Sequence, residues 1–213
     1  WRRAKGSCAS VAAATMQDAS RRVDEVRLAT EDLQGVLAGF RTGGTPFDAL
    51  VDATTVLRDE VLACLRRHAE GGANVFDQNY QPIAQSDPPR FTTSYDRIVE
   101  RDLQVLFDRV LTDLPGAAYA LAVDNRGFAP THNTKFSRPP NGQRDLDLVY
   151  CRNKRIFDDP VGIRLAKNRE PFLLQTYLRD TGEVINDLSM PIVIDGKHWG
   201  AVRIGYDSAR MMG

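Results

Sequence analysis

The stretch VDNRGFAPTHNTKF, residues Val123–Phe136, decides how the rest of the chain is read. An apolar run, Ala117–Val123, leads into it, and Asp124-Asn125-Arg126-Gly127 is a turn signal between two strand-like runs. Gly127 supplies the positive φ that closes a hairpin. The second strand is expected over Phe128–Thr131, and Thr131, His132 and Asn133 stand where it ends. Loops at strand ends aim side chains at ligands from a rigid scaffold. The same residues also make a plain hairpin with a polar rim, and the local sequence leaves both readings open.

Downstream, Ser137–Asn153 is loop-like, rich in Pro, Gly, Asn and charge, and Pro160–Asn168 reads as a short helix. Phe172–Arg179, Val184–Ile194 and His198–Tyr206 read as three strands, joined by the tight-turn signals Asp180-Thr181-Gly182 and Asp195-Gly196. The sum is an antiparallel sheet of five strands, with a loop and short helix between the second and third. A loop and helix that cover a curved sheet leave room for a small molecule beneath them.

Upstream the grammar is helical. Ala12, Met16, Ala19, Val23, Val26, Thr30, Leu33, Leu37 and Phe40 recur at four- and three-residue steps, an a/d seam that points to a coiled coil joining two subunits or feeding a longer helical rod, the alternative being a long amphipathic helix folded against its own domain. Gly43-Gly44 breaks it. Thr45-Pro46 with Asp48 is a helix start, and the helix runs to about His68 before Gly71-Gly72. Phe47, Leu50, Thr54, Leu57, Val61, Cys64 and His68 form its apolar stripe, and His68 at the end of that stripe reads as a structural residue rather than a ligand. Val75–Arg90 is a connector, and a third helix is expected from Thr92 to Leu111. The fold class is therefore α+β, long N-terminal helices followed by the sheet. The domains are a helical dimerisation region, residues 1–72, and a sheet domain, residues 73–213.

Composition narrows the function. Lys and Arg number 28, as do Asp and Glu, so the net charge is zero and nonspecific nucleic-acid binding is not expected. No apolar run is long enough to span a bilayer, so no membrane contact is expected within the chain. Trp1 opens the chain without a Met, which points to a fragment of a longer protein. Cys8, Cys64 and Cys151 are an odd set without a CxxC or a metal-ligand spacing, and fit a reducing compartment. There is no GxSxG, P-loop, GxGxxG after a strand, or HExxH, so no enzyme is expected.

Chemistry-bearing residues concentrate between Thr131 and Glu170, where nine Lys or Arg stand against five Asp or Glu. Arg152-Asn153-Lys154-Arg155-Ile156-Phe157 is the densest run. An inward Arg pairs with a carboxylate or phosphate through two parallel hydrogen bonds. Each of these residues singly also suits a solvated surface. His132 and His198 are the histidines placed near the sheet, and Tyr119, Tyr177 and Arg203 lie on strands whose register the sequence does not fix.

FDQNYQPI, AVDNRGFAPTHNTKFS, CRNKRIFDDPVGIRLAKN, EPFLLQTYLRDTGE and DLSMPIVIDGKHWGAVRIGY together resemble the sensor region of many bacterial methyl-accepting chemotaxis proteins, over Phe76–Tyr206. The resemblance implies a PAS/Cache-like sensing domain, cytoplasmic, coupled to chemoreceptor signalling helices and dimeric through its N-terminal helix. It implies a small polar or anionic ligand held by Thr131, His132, Asn133, Arg152, Arg155, Phe157, Phe172, Gln175, Tyr177 and Trp199. Arg152 or Arg155 would meet the anionic group, and the aromatic residues the apolar body. Two alternatives stay open: a haem-based gas or redox sensor with His132 or His198 on the iron, and a docking or dimerisation module whose aromatic residues fill their own pocket. No cofactor is expected on the first reading.

Overall fold

The structure, a computed structural model, describes residues 44–178 and 184–207. The heptad seam Ala12–Phe40, with the dimerisation expected of it, lies outside the described residues, as does the Asp180-Thr181-Gly182 turn.

The first described helix, α1 (Pro46–Glu70), begins as the sequence predicts. Thr45 accepts from the Asp48 N–H at 3.1 Å, Asp48 accepts from the Thr45 N–H at 3.1 Å, and Pro46 follows the cap. Its stripe Leu50, Thr54, Leu57, Val61, Cys64 and Leu65 is buried, and the Thr54 hydroxyl bonds back to Leu50 O. Gly72, at φ +93°, ends it. Gln81–Pro82 (β1) then pairs with Phe91–Thr92 (β2). The next helix, α2 (Asp96–Asp113), starts four residues later than expected, because Thr92 is in β2 and the Asp96 carboxylate gathers the Thr92 hydroxyl at 2.9 Å and the Thr93 N–H at 3.2 Å.

The main sheet has four strands among the described residues: β3 (Ala117–Asp124), β4 (Leu173–Leu178), β5 (Val184–Ile194) and β6 (Lys197–Tyr206), all antiparallel, in the order β3-β6-β5-β4. The expected β5–β6 hairpin closes on Asp195 and Gly196, both at positive φ. Helix α1 packs on β5 and β6, and α2 packs on β3 and on α1. One apolar core joins both helices to the sheet through Leu57, Val61, Leu103, Phe107, Leu188 and Ile204. Helix α1 therefore folds with the sheet.

Two expectations are corrected here. Phe128–Thr131 is not a fifth strand. Asp124 and Gly127 do turn the chain, and Asp124 N–H donates to Phe128 O at 2.9 Å, but the pairing with β3 goes no further, since Pro130 has no N–H to donate and the backbone of Gly127–Ala129 finds other partners. Phe157 N–H donates to Gly127 O at 2.9 Å, Ala129 N–H to Arg155 O at 2.9 Å, and Lys154 N–H to Ala129 O at 2.8 Å. Gly127 is needed for that approach: a Cβ there would stand 2.3 Å from Phe157 O. Second, Ser137–Asn153 is not wholly loop. A one-turn 3-10 helix at Thr134–Phe136 precedes it, and it contains a short helix, α3 (Arg144–Tyr150). The Pro139-Pro140-Asn141-Gly142 run just ahead obscures α3; Asp147 anchors it by accepting from the Asn141 and Gly142 N–H groups at 3.0 Å. The last helix, α4 (Pro160–Ala166), is capped by Asp159, which accepts from the Val161 and Gly162 N–H groups.

Candidate functional site

Helices α1 and α2 cover one face of the main sheet. On the other, pairing partners share a face, so the rungs Gln175–Asp187–Gly205–Tyr119 and Ser189–Arg203–Leu121 set these residues side by side. Tyr177, two residues from Gln175, joins them. The register that the sequence left open is thus fixed, with Tyr119, Tyr177 and Arg203 together.

At the centre is a buried polar cluster. The Arg203 guanidinium donates through Nε to Asp187 Oδ2 at 3.0 Å and through Nη2 to the same oxygen, and Nη2 also reaches the Tyr177 oxygen at 3.2 Å. The Tyr119 hydroxyl donates to Asp187 Oδ2 at 2.6 Å and lies 2.8 Å from the Tyr177 hydroxyl. Asp187 is fully buried and Arg203 is 4% exposed. Burial disfavours the Arg203 cation, but Asp187 with Tyr177 and Tyr119 more than offsets this and holds its pKa above the ordinary arginine value. Burial, and then the Asp187 charge, push the Tyr119 phenol well above the ordinary tyrosine range, so it stays a donor. Asp187 Oδ1 has no hydrogen-bond partner among the described residues, an unmet buried acceptor.

The cover over this cluster is the segment Arg152–Asp159. It is tied down from the helix side. Lys154, at φ +61°, reaches Asp96 at 2.5 Å and Glu100 at 3.3 Å, Arg90 donates to Asn153 Oδ1 at 2.8 Å, and Phe91 N–H donates to Lys154 O at 2.7 Å. Between cover and sheet lies a cavity of about 380 Å³, walled by Arg152, Arg155, Phe157 and Asp158 above and by Tyr177 and Arg203 below. Its deep end, about 20 Å³, reaches Tyr119, Leu121 and His132 and shares Arg152, Phe157, Tyr177 and Arg203 with the larger part. The Arg152 and Arg155 guanidinium groups each lie 5.4 Å from the Phe157 ring centroid. Arg152 also donates to Leu148 O at 3.1 Å.

Of the residues singled out in the sequence, the cavity brings together His132, Arg152, Arg155, Phe157 and Tyr177. The other five stand elsewhere. Thr131 is fully buried, its hydroxyl toward His132 O. Asn133 accepts from Ala120 N–H at 2.8 Å and donates to Asp108 at 3.2 Å, tying the loop to β3 and α2. Phe172 meets Phe47 edge-on with centroids 6.1 Å apart. Gln175, in the amide orientation that satisfies both its groups, donates to Val161 O and accepts from Arg164, fastening α4 to the sheet. Trp199 is a core residue whose Nε1–H donates to Val75 O at 2.8 Å. Sequence reasoning missed Asp187 and Gly205. Their signal was the alternation of β5 and β6, legible only once the register is known.

Haem fits neither candidate histidine as arranged. His132 is 2% exposed, opens on the small deep end, and lies against Tyr119 and Phe136 at centroid distances of 5.7 and 5.1 Å. Its Nδ1 accepts from the Asn133 N–H at 2.8 Å. His198 donates through Nε2 to Asn168 O at 2.9 Å.

No family model matches the chain, and no curated protein matches it. Among solved structures the chain is similar to an extracellular ligand binding receptor from Desulfohalobium retbaense DSM5692, at 14% identity with a TM-score of 0.38. The similarity covers 75% of this chain, which spans 25% of that one. No helix among the described residues is long and apolar enough to cross a membrane.

Proposed function

We infer that this chain is a small-molecule-sensing domain whose ligand is a small organic anion. The observation that supports this reading most is the charge of the cavity wall. Arg152, Arg155 and Arg203, together with Asp158 and Asp159, line a cavity of about 380 Å³, a volume in the range of small-ligand pockets. Asp187 balances Arg203, and Asp159, still an anion, turns one carboxylate oxygen to the Val161 and Gly162 N–H groups at the start of α4. Arg152 and Arg155, opposed by the exposed Asp158, are the groups that take a carboxylate or phosphate. Phe157 and Tyr177 pack the apolar part of the ligand, and the Tyr119-Asp187-Arg203 cluster is a rigid floor.

The receptor context, cytoplasmic and coupled to the signalling helices of a methyl-accepting chemotaxis protein through an N-terminal helix, is proposed on the resemblance of the motif runs of residues 76–206 and on the heptad pattern of Ala12–Phe40. The cavity cover is bonded to α2 through Lys154 and Asp96, and α2 packs on α1. A ligand that binds one arrangement of the cover more tightly than another biases those helices. The second reading, a docking module whose pocket is filled by its own side chains, is separated by a thermal-shift panel of mono- and dicarboxylates, inorganic phosphate and neutral sugars. The sensing reading predicts a rise in Tm with at least one anion, none with the sugars, and loss of the rise in Arg155→Gln. No rise with any anion leaves the docking module.

A further inference from the structure

On the opposite side of the sheet, α1 and α2 bring Cys64, His68 and Asp102 together. Cys64 and His68 are four residues apart, one above the other on a helical face. Asp102 comes from the facing helix. One ligand atom from each residue lies within 4.8 Å of the others, and His68 Nε2 is 2.8 Å from Asp102 Oδ2. We propose that this triad is a divalent transition-metal site, with zinc the metal its donors suit best.

The donor chemistry is the first argument. On metal binding Cys64 releases its proton to water, and the resulting thiolate, an imidazole and a carboxylate form a borderline-soft set that selects zinc over magnesium or calcium. Geometry is the second. Tetrahedral zinc holds its donors roughly 3–4 Å apart, so the His68–Asp102 pair at 2.8 Å opens slightly and the separations to Cys64, within 4.8 Å, need at most a small contraction; Cys64 and His68 already share a helix. A cation is already seated there. Arg67 Nη2 donates to Asp102 Oδ2 at 2.7 Å and points at Cys64 Sγ at 3.8 Å. Its guanidinium occupies the position facing both sulfur and carboxylate. The Arg67 side chain is 62% exposed and is free to swing into water when a metal takes its place.

A cavity of about 380 Å³ opens at the Cys64 and Asp102 side of the triad, lined by these two and Arg67 together with Glu60 and Val105. Solvent thus reaches the site, and a water completes the coordination that three protein ligands leave open. The metal would clamp α1 to α2 across the pair of helices that lies against β5 and β3. This site is independent of the anion cavity, so neither proposal depends on the other.

The test is Co²⁺ titration of the full chain after dialysis against chelator, with Zn²⁺ competition. The expected result is one Co²⁺ per chain with a thiolate-to-cobalt charge-transfer band, displaced by Zn²⁺. Cys64→Ser removes the band while circular dichroism shows the fold retained. His68→Gln and Asp102→Asn weaken Co²⁺ binding by at least about tenfold. Arg67→Ala tightens it, because the competing cation is gone. Absence of the band in the unaltered chain overturns the proposal. A band that persists in Cys64→Ser does so too, since it assigns the metal to another cysteine. Unchanged or weaker binding in Arg67→Ala overturns the displacement of Arg67 on which the site depends.

Discussion

The ring of Tyr119 lies across Gly205, close enough that a Cβ on Gly205 would stand 2.2 Å from the ring. Gly205 is the rung between Tyr119 and Asp187. Because it has no side chain, the phenol passes over it and reaches the Asp187 carboxylate at 2.6 Å. The floor of the cavity is therefore built around a missing methyl group.

Gly205→Ala should displace Tyr119 and open its bond to Asp187. Overpacking of this kind costs roughly 1–3 kcal/mol, read as a lower denaturation midpoint. Any anion that binds the cavity should bind the variant more weakly, because the Tyr119 hydroxyl is no longer positioned. A variant with unchanged stability would show that the ring is not confined there.

The Asp187–Arg203 pair predicts a strong asymmetry. Arg203→Met leaves a buried carboxylate without its cation and should destabilise by about 3–5 kcal/mol. The double replacement Asp187→Leu with Arg203→Met removes both charges and should recover most of that loss. Denaturant unfolding of the two single variants and the double variant measures this directly. Additive losses would mean that the pair acts as two independent groups.

His198 gives a pH dependence. Burial holds its pKa below the ordinary value near 6.5, with the Asn168 carbonyl acting in the other direction. Below pH 6.5 the unfolded chain binds a proton that the folded chain does not. Stability therefore falls as pH drops from the unfolded value toward the lowered folded one, and is fully present above it. Comparison of urea midpoints at about pH 7.5 and about pH 5.5 should show a smaller drop in His198→Gln, which keeps a donor for Asn168 O but does not titrate. Equal drops in the two proteins would remove His198 as the source.

Trp199 separates support from contact. Trp199→Phe leaves Val75 O buried without its donor and should cost about 1–3 kcal/mol in stability, while anion affinity stays the same. A loss of affinity comparable to that of Arg155→Gln would return Trp199 to the site.

Local signals made much of this fold readable. The Thr45-Pro46-Asp48 cap and the Asp195-Gly196 turn bracket elements whose ends follow from their own residues, and strands β4, β5 and β6 lie close to where the strand-like runs between turn signals placed them. The errors are long-range. Phe128–Thr131 looks like a returning strand, yet its partners are Arg155 and Phe157, almost thirty residues on. The same limit applies at the cavity. Arg152, Arg155 and Phe157 stand out as a basic and aromatic run, whereas Asp187 and Gly205 become meaningful only when cross-strand register sets them beside Tyr119. Trp199 and Asn133, prominent in the sequence, spend their polar groups on Val75, Ala120 and Asp108.

The most direct measurement is isothermal titration calorimetry of the anion that stabilises the chain most, on the unaltered chain and on Arg155→Gln, at low and high salt. The account predicts one site per chain, weaker binding at high salt, and an affinity at least about tenfold lower in the variant, in keeping with the loss of a charge-assisted hydrogen bond. Equal affinity in both proteins, independent of salt, would contradict an anion held by the arginines of this cavity.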